Sequence, residues 1–284
     1  MKRKQPIVDY GSSGDENEPE VAGGESTGSV KPPKRLKELM SLPETFEAGA
    51  PADNATLHQG RQRTRPHVEG QFVAHIYIPV QLRGRLKTLL AEIVDHTRTV
   101  LPSLQSFISE DSKELHISLS RPTYLRAHQR EGLNLAVKAV CRKYPPFALS
   151  FARIAVLNND EKTRTFLALE VGAGYLETKA LSDALNVHIR ALHQEAYYEA
   201  PRFHISIAWA LLQEDEHTIE SAISQELLDP PPMPEFPRVA ELPDSLIRSL
   251  ENRYAARIRD LVQSSIDTVE IKIGKSITRC RLDA

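Results

Sequence analysis

Apolar residues follow two different periods along this chain, and the period changes from one segment to the next. Residues 71–78 are rich in β-branched and aromatic side chains, which predicts a strand. Residues 82–101 carry leucine, isoleucine and valine at helical spacing, which predicts a helix that ends before Pro102. The same patterns predict strands at 114–120, 147–157, 164–171, 202–211, 268–273 and 276–282, and helices at 129–144, 176–196 and 246–261.

The order of these elements, with strands separated by helices, indicates an α+β protein. Its two halves also resemble each other. Each contains an amphipathic helix followed by a strand with an apolar-His-apolar-Ser-apolar pattern, Leu115–Leu119 in the first half and Phe203–Ile207 in the second. A duplicated unit with a cleft between its two copies is the simplest explanation.

Composition separates the first 65 residues from the rest of the 284-residue chain. They hold a Ser-rich acidic cluster at 12–18 and a glycine-rich stretch at 23–26, with few large apolar side chains. This composition predicts a disordered tail at 1–65 and a folded domain at 66–284. Two short basic runs, 2–4 and 31–37, are candidate nuclear import signals, although an ordinary solvated tail explains them equally well.

Charge and cysteine content exclude several classes of protein. The net charge is -2, so any RNA-binding surface must be a local basic patch. The two cysteines, Cys141 and Cys280, provide neither a disulfide framework nor a zinc cluster. No apolar run approaches the roughly 20 residues that cross a bilayer, so we expect no membrane association.

Two His-x-Ser units carry the candidate chemistry. Residues i and i+2 of a strand share a face, so His116 lies beside Ser118, and His204 beside Ser206, while the intervening apolar residues enter the core. Of ten histidines, only these two have Ser or Thr two residues later. The alternative is that both are ordinary surface-facing strand histidines next to unremarkable serines.

The chemistry of RNA cleavage explains these residue types. One group must take the proton of a ribose 2′-hydroxyl, and another must protonate the departing 5′-oxygen. Histidine does both near neutral pH because its ordinary pKa is about 6.5. A serine hydroxyl can donate a hydrogen bond to a non-bridging phosphate oxygen as charge develops there. The product is a 2′,3′-cyclic phosphate, and the required 2′-hydroxyl favours RNA over DNA.

This mechanism uses no metal and no cofactor, and the remaining histidines show no clustering typical of metal ligands. One of them, His75, lies on the first predicted strand and receives no role at this stage.

At these two motifs the sequence resembles the 2H phosphoesterase superfamily, and within it most closely the U6 snRNA phosphodiesterase family. The resemblance covers residues 70 to 282 and a short N-terminal block. Besides the motifs, it rests on the blocks Val8–Gly14, Lys162–Val171, Pro201–Trp209 and Ile271–Lys275.

The resemblance implies a two-lobed fold with pseudo-twofold symmetry, an antiparallel sheet plus helices in each lobe, and the active site between them. It implies a 3′-5′ exoribonuclease that trims the oligouridine 3′ tail of U6 snRNA in the nucleus, acting as a monomer. The family's catalytic positions fall on His116 and His204, its phosphate-binding positions on Ser118 and Ser206, and its base-stacking tyrosine on Tyr198.

Two other interpretations remain open. Another 2H activity, such as a 2′,3′-cyclic phosphodiesterase or a 2′-5′ RNA ligase-like enzyme, would use the same four motif residues. A non-catalytic RNA-binding module would use the histidines only as phosphate donors. Further phosphate contacts are expected from basic residues near the motifs, among them Arg121, Arg126, Lys162, Arg164 and Arg202.

Overall fold

A computed structural model describes residues 59–60, 68–213, 236–261 and 264–283. All of these residues belong to one compact unit. The tail predicted at 1–65 lies outside the described residues apart from Gln59 and Gly60, and so do its two basic runs.

Four helices occur in the described ranges. They are α1 (Gly84–Val100), α2 (Gln129–Cys141), α3 (Tyr175–Ala191) and α4 (Asp244–Arg259). The apolar stripe that predicted each helix is its buried face, for example Leu89, Leu90 and Ile93 in α1. None of these helices is both long and apolar enough to span a membrane.

The strands form one ten-stranded sheet and one two-stranded sheet. The twelve strands in the described ranges are β1 (Gln71–Gln81), β2 (Gln105–Ser106), β3 (Glu114–Ser118), β4 (Thr123–Arg126), β5 (Phe147–Leu149), β6 (Phe151–Asn158), β7 (Arg164–Val171), β8 (His204–Leu212), β9 (Arg238–Val239), β10 (Ser264–Ile266), β11 (Thr268–Ile273) and β12 (Ser276–Arg281). The longest path through the ten-stranded sheet runs β12-β11-β1-β3-β8-β7-β6, and every pairing along it is antiparallel.

The large sheet has two antiparallel halves, each ending in one motif strand. The first half contains β3, the second contains β8, and a single register pair, Ile117 opposite Ile205, joins them. Helices cover both halves: α2 packs on β11 and β12, and α4 packs on β6. The α+β fold with an antiparallel sheet and helices in each half is confirmed, and the β3–β8 pairing makes the two sheets continuous.

Most element boundaries lie within three residues of the predictions, and the two larger differences have local reasons. The strand predicted at 147–157 divides at Ser150, because β5 pairs with β10 whereas β6 pairs with β7. Helix α3 ends at Ala191 rather than 196, because His193 adopts a left-handed φ of 55° that cannot continue a helix. The short strands β2, β4, β9 and β10 were not predicted.

Candidate active site

The pairing of β3 with β8 brings the two motifs together. Ile117 and Ile205 lie opposite each other and are fully buried. Because the strands are antiparallel, the residue before one isoleucine faces the residue after the other. His116 therefore lies across from Ser206, and Ser118 across from His204, all on the face opposite the two isoleucines. These four side chains keep some contact with solvent, as substrate-binding groups must.

The orientation of the His204 ring is fixed by the backbone. Its Nδ1 lies 2.6 Å from the carbonyl oxygen of Arg202. A carbonyl can only accept a hydrogen bond, so Nδ1 carries a proton and donates it. Nε2 is then the nitrogen that remains to exchange protons with a substrate.

The surroundings of the two motif histidines lower the pKa of both. Burial is the main cause for His116, followed by the positive charges of His204 and Lys272. Its ring keeps accessible surface, yet protein groups crowd around it, which removes much of its hydration. Burial also lowers the pKa of His204, although the Arg202 carbonyl and the Glu170 carboxylate oppose this shift. The charge of His204 acts on His116 from the same face of the β3–β8 pair.

A third histidine stands in the site. His75 of β1 places its Nε2 3.0 Å from Ser118 Oγ, and its ring centroid lies 5.2 Å from that of His116 in an edge-on arrangement. Burial, then the charges of His116 and Lys272, lower the pKa of His75 to about 3, so this ring is neutral at physiological pH. His75 was given no role from sequence.

Tyr77 also packs against His116, with ring centroids 5.4 Å apart, and its ring centroid lies 5.3 Å from that of His75. Its hydroxyl donates to Glu270 Oε2 at 2.9 Å, and Arg279 Nε donates to Glu270 Oε1 at 2.7 Å. Burial, then the bond to Glu270, raises the pKa of Tyr77 above its usual value. The phenol therefore stays protonated, and this row across β1, β11 and β12 holds the ring in place.

A second charged group flanks His204. Glu170 lies opposite His204 in the β7–β8 register. Its two carboxylate oxygens accept hydrogen bonds from Arg153 Nε and Arg202 Nε. Burial alone would raise the pKa of Glu170, but the two arginines outweigh it and the pKa is lowered. Glu170, Arg153 and Arg202 line a pocket of about 330 Å³, together with Ala152, Val171, Tyr175, Pro201 and Phe203.

Tyr198, the residue predicted to stack on a base, has protein partners of its own. Its side chain is 40% exposed, and the Arg121 guanidinium sits 4.1 Å from its ring centroid. Its hydroxyl donates to Asp160 Oδ1 at 2.7 Å, and Arg121 also forms an ion pair with Asp160. Since Arg121 occupies one ring face, a stacked base would take the other face or displace the guanidinium.

No group of three or more His, Cys, Asp or Glu side chains is positioned to hold a metal ion within the ranges that the structure describes.

Comparisons with known proteins agree on the family. Residues 31–281 match the HVSL family, described as an uncharacterised conserved protein. U6 snRNA phosphodiesterase 1 of Bos taurus is 33% identical over 218 residues, which is 72% of this chain and 80% of the relative. The Homo sapiens protein of the same name is 31% identical over 218 residues, with the same two coverages.

The fold resembles that of Kluyveromyces marxianus Usb1, with a TM-score of 0.52 at 14% identity, covering 74% of this chain and 98% of that one. A second structure of that Usb1, with uridine monophosphate, gives the same TM-score at 16% identity and the same two coverages. Sequence identity, family match and motif pattern agree: the chain belongs to the U6 snRNA phosphodiesterase (HVSL) family of 2H phosphoesterases and is a phosphodiesterase.

Proposed function

We propose that this protein is a metal-independent 3′-5′ exoribonuclease that removes uridines from the 3′ end of U6 snRNA. The observation that carries the proposal is the pairing of the two His-x-Ser strands through Ile117 and Ile205, which puts two imidazoles and two hydroxyls on one face. Its curated relatives are named U6 snRNA phosphodiesterase 1, which supplies the substrate.

In the proposed reaction the penultimate 2′-hydroxyl attacks the last phosphorus atom. One motif histidine takes the hydroxyl proton as the new O2′–P bond forms. The other histidine gives a proton to the 5′-oxygen as the P–O5′ bond breaks and the terminal nucleoside leaves. Ser118 and Ser206 donate hydrogen bonds to the non-bridging oxygens. The shortened RNA ends in a 2′,3′-cyclic phosphate, so the step itself is a lyase reaction.

We assign Tyr198 to stacking of a base near the scissile linkage. Support comes from its exposed position and from its place six residues before His204. The interaction with Arg121 keeps the ring in a defined orientation, and stacking on an aromatic side chain contributes about 1–3 kcal/mol per base. The uridine monophosphate in the Kluyveromyces marxianus Usb1 structure makes uridine the natural first base to test.

We also propose that the protein acts in the nucleus as a monomer. The substrate of its relatives and the two basic runs at 2–4 and 31–37 support the nuclear assignment. Replacing both runs with alanine in a fluorescent fusion tests it: signal should move from the nucleus to the cytoplasm. Sedimentation of the purified protein tests the oligomeric state.

The decisive experiment is incubation of the purified protein with a short oligouridine RNA in EDTA. We expect stepwise shortening from the 3′ end and a product that poly(A) polymerase cannot extend. A 2′-deoxy residue at the penultimate position should stop removal of the last nucleotide, and continued removal would exclude 2′-hydroxyl attack. Cleavage that appears only when magnesium is restored would refute the metal-independent mechanism.

The two alternative functions give different results. A cyclic phosphodiesterase or ligase-like 2H enzyme would act on 2′,3′-cyclic nucleotides or 2′-5′ linkages and leave oligouridine intact. A non-catalytic RNA-binding module would show no cleavage in any variant, and His116→Ala or His204→Ala would only weaken its binding of oligouridine, because each substitution removes a phosphate donor. For the proposed enzyme, either substitution should slow cleavage by at least about 100-fold, the usual contribution of one general acid or base.

A further inference from the structure

We propose that Arg153, Arg202 and Glu170 form a second phosphate-binding subsite beside the catalytic pair. This inference rests on the proposed function, because it takes RNA as the substrate. Glu170 is almost buried, with 9% of its side chain exposed, whereas the side chains of Arg153 and Arg202 are 63% and 50% exposed. A buried carboxylate thus anchors two arginines that reach into solvent.

The way in which Glu170 binds these arginines leaves their outer ends available. It accepts only the Nε–H of each guanidinium, one at each carboxylate oxygen. No other hydrogen bond to either guanidinium occurs within the described residues. The Nη groups are the donors that bind phosphate through paired parallel hydrogen bonds. Two such groups at one pocket of about 330 Å³ suit a single phosphate.

Local charge supports an anionic ligand. Glu170 neutralises one of the two guanidinium charges, which leaves one positive charge on this side of the pocket. Glu251 of α4 is a second nearby carboxylate; it accepts a hydrogen bond from the backbone N–H of Ile154, and its charge offsets part of the positive charge of Arg153. The imidazolium form of His204 would add further positive charge next to the pocket.

The position of the subsite decides which phosphate it takes. Glu170 lies directly opposite His204, and Arg202 is two residues before it, so the subsite is adjacent to the scissile linkage. The terminal nucleoside that leaves carries no phosphate, since the scissile phosphate stays on the shortened chain. The remaining chain carries a phosphate at every linkage on its 5′ side. The subsite therefore takes the phosphodiester immediately upstream of the scissile one.

The test measures binding rather than cleavage, so that it stays separate from the proposed function. The ligand is a 2′-O-methyl uridine trimer, which cannot be cut. It is compared with the same trimer carrying an uncharged methylphosphonate at the upstream linkage. We expect the wild-type protein to bind the charged trimer about threefold more tightly, a value typical of exposed ion pairs. Arg153→Gln should reduce this ratio to about one.

Arg142→Gln, at the exposed C-terminal end of α2, is the matched control and should keep the wild-type ratio. Thermal melting of each variant monitors folding, and Arg153→Lys, which retains the charge without the forked donors, should give an intermediate ratio. An unchanged threefold ratio in folded Arg153→Gln, or a ratio of one in the wild-type protein, would overturn the subsite. Failure to cleave oligouridine would overturn the proposed function and leave this binding result intact.

Discussion

Replacing His75 with phenylalanine tests whether a neutral imidazole directs Ser118. If Ser118 gives its only hydroxyl proton to the phosphate, its oxygen must accept the bond from His75. His75 must then carry its proton on Nε2, 3.0 Å from Ser118 Oγ. The low pKa of His75, caused mainly by burial, keeps this ring neutral throughout the working pH range. Phenylalanine keeps the ring against His116 and removes the donor.

The expected loss follows from the value of one hydrogen bond. A single intramolecular hydrogen bond contributes about 0.5–1.5 kcal/mol, and about 1.4 kcal/mol corresponds to a tenfold change in rate. We expect His75→Phe to lower the rate of the cleavage step about three- to tenfold. His75→Gln, whose amide nitrogen can reach a similar position, should recover part of the loss.

Single-turnover cleavage of oligouridine measures this rate, with Ser118→Ala as the reference. Sulfur in place of one non-bridging oxygen should slow the wild-type enzyme, and both variants should be less sensitive to it. The double variant should be no slower than Ser118→Ala alone. His96→Phe is the control, because His96 pairs with Tyr254 on the helices and should keep wild-type kinetics. If the rate losses of His75→Phe and Ser118→Ala add up in the double variant, and the single variants respond to sulfur as the wild-type enzyme does, His75 does not act through Ser118.

Three further predictions follow from the site. The kcat/KM of oligouridine cleavage should peak below pH 6.5, because burial lowers the pKa of both His116 and His204; a pH–rate profile with its maximum above pH 7.5 would contradict this. Tyr198→Ala should lower kcat/KM in steady-state assays by a factor that corresponds to about 1–3 kcal/mol of lost stacking free energy. Tyr198→Phe loses only the bond to Asp160, so its kcat/KM should stay within about threefold of wild type. The unfolded chain binds a proton at His75 near pH 6.5 and the folded chain only near pH 3, so stability should be complete above pH 6.5 and decrease as the pH falls. Urea denaturation at several pH values between about 6 and 4 gives the free energy of unfolding as a function of pH. This pH dependence should be weaker by about 1.4 kcal/mol per pH unit in His75→Phe than in the wild-type protein, and an equal dependence in both proteins would contradict the low pKa.

The motif strands were predictable because their signal is local. Alternation of buried and accessible residues identifies β3 and β8 and places each histidine on the same face as its serine. The four helices were predictable for the same reason, since each carries one apolar stripe. The short strands β2, β4, β9 and β10 were missed because segments of two to four residues contain too few positions to show a period.

The supporting residues of the site could not be derived from spacing. His75 meets Ser118 across 43 positions of sequence, and only the β1–β3 register brings them together. One signal was present: His75 and Tyr77 alternate with the buried Ala74, Ile76 and Ile78, the pattern of the motif strands. The anchoring of Arg153 and Arg202 by Glu170 depends on three strands or loops, so no local pattern indicates it.

Hydrogen exchange at the backbone amides of the β3–β8 junction should report whether the active site is intact. The two motif strands pair with each other at Ile117 and Ile205, so opening of this pairing would separate the imidazoles without altering any catalytic side chain. Loss of activity on heating should then follow deuterium uptake at these two amides, ahead of exchange in the helices. Inactivation would then begin at two buried apolar residues on the sheet face opposite the motif histidines and serines.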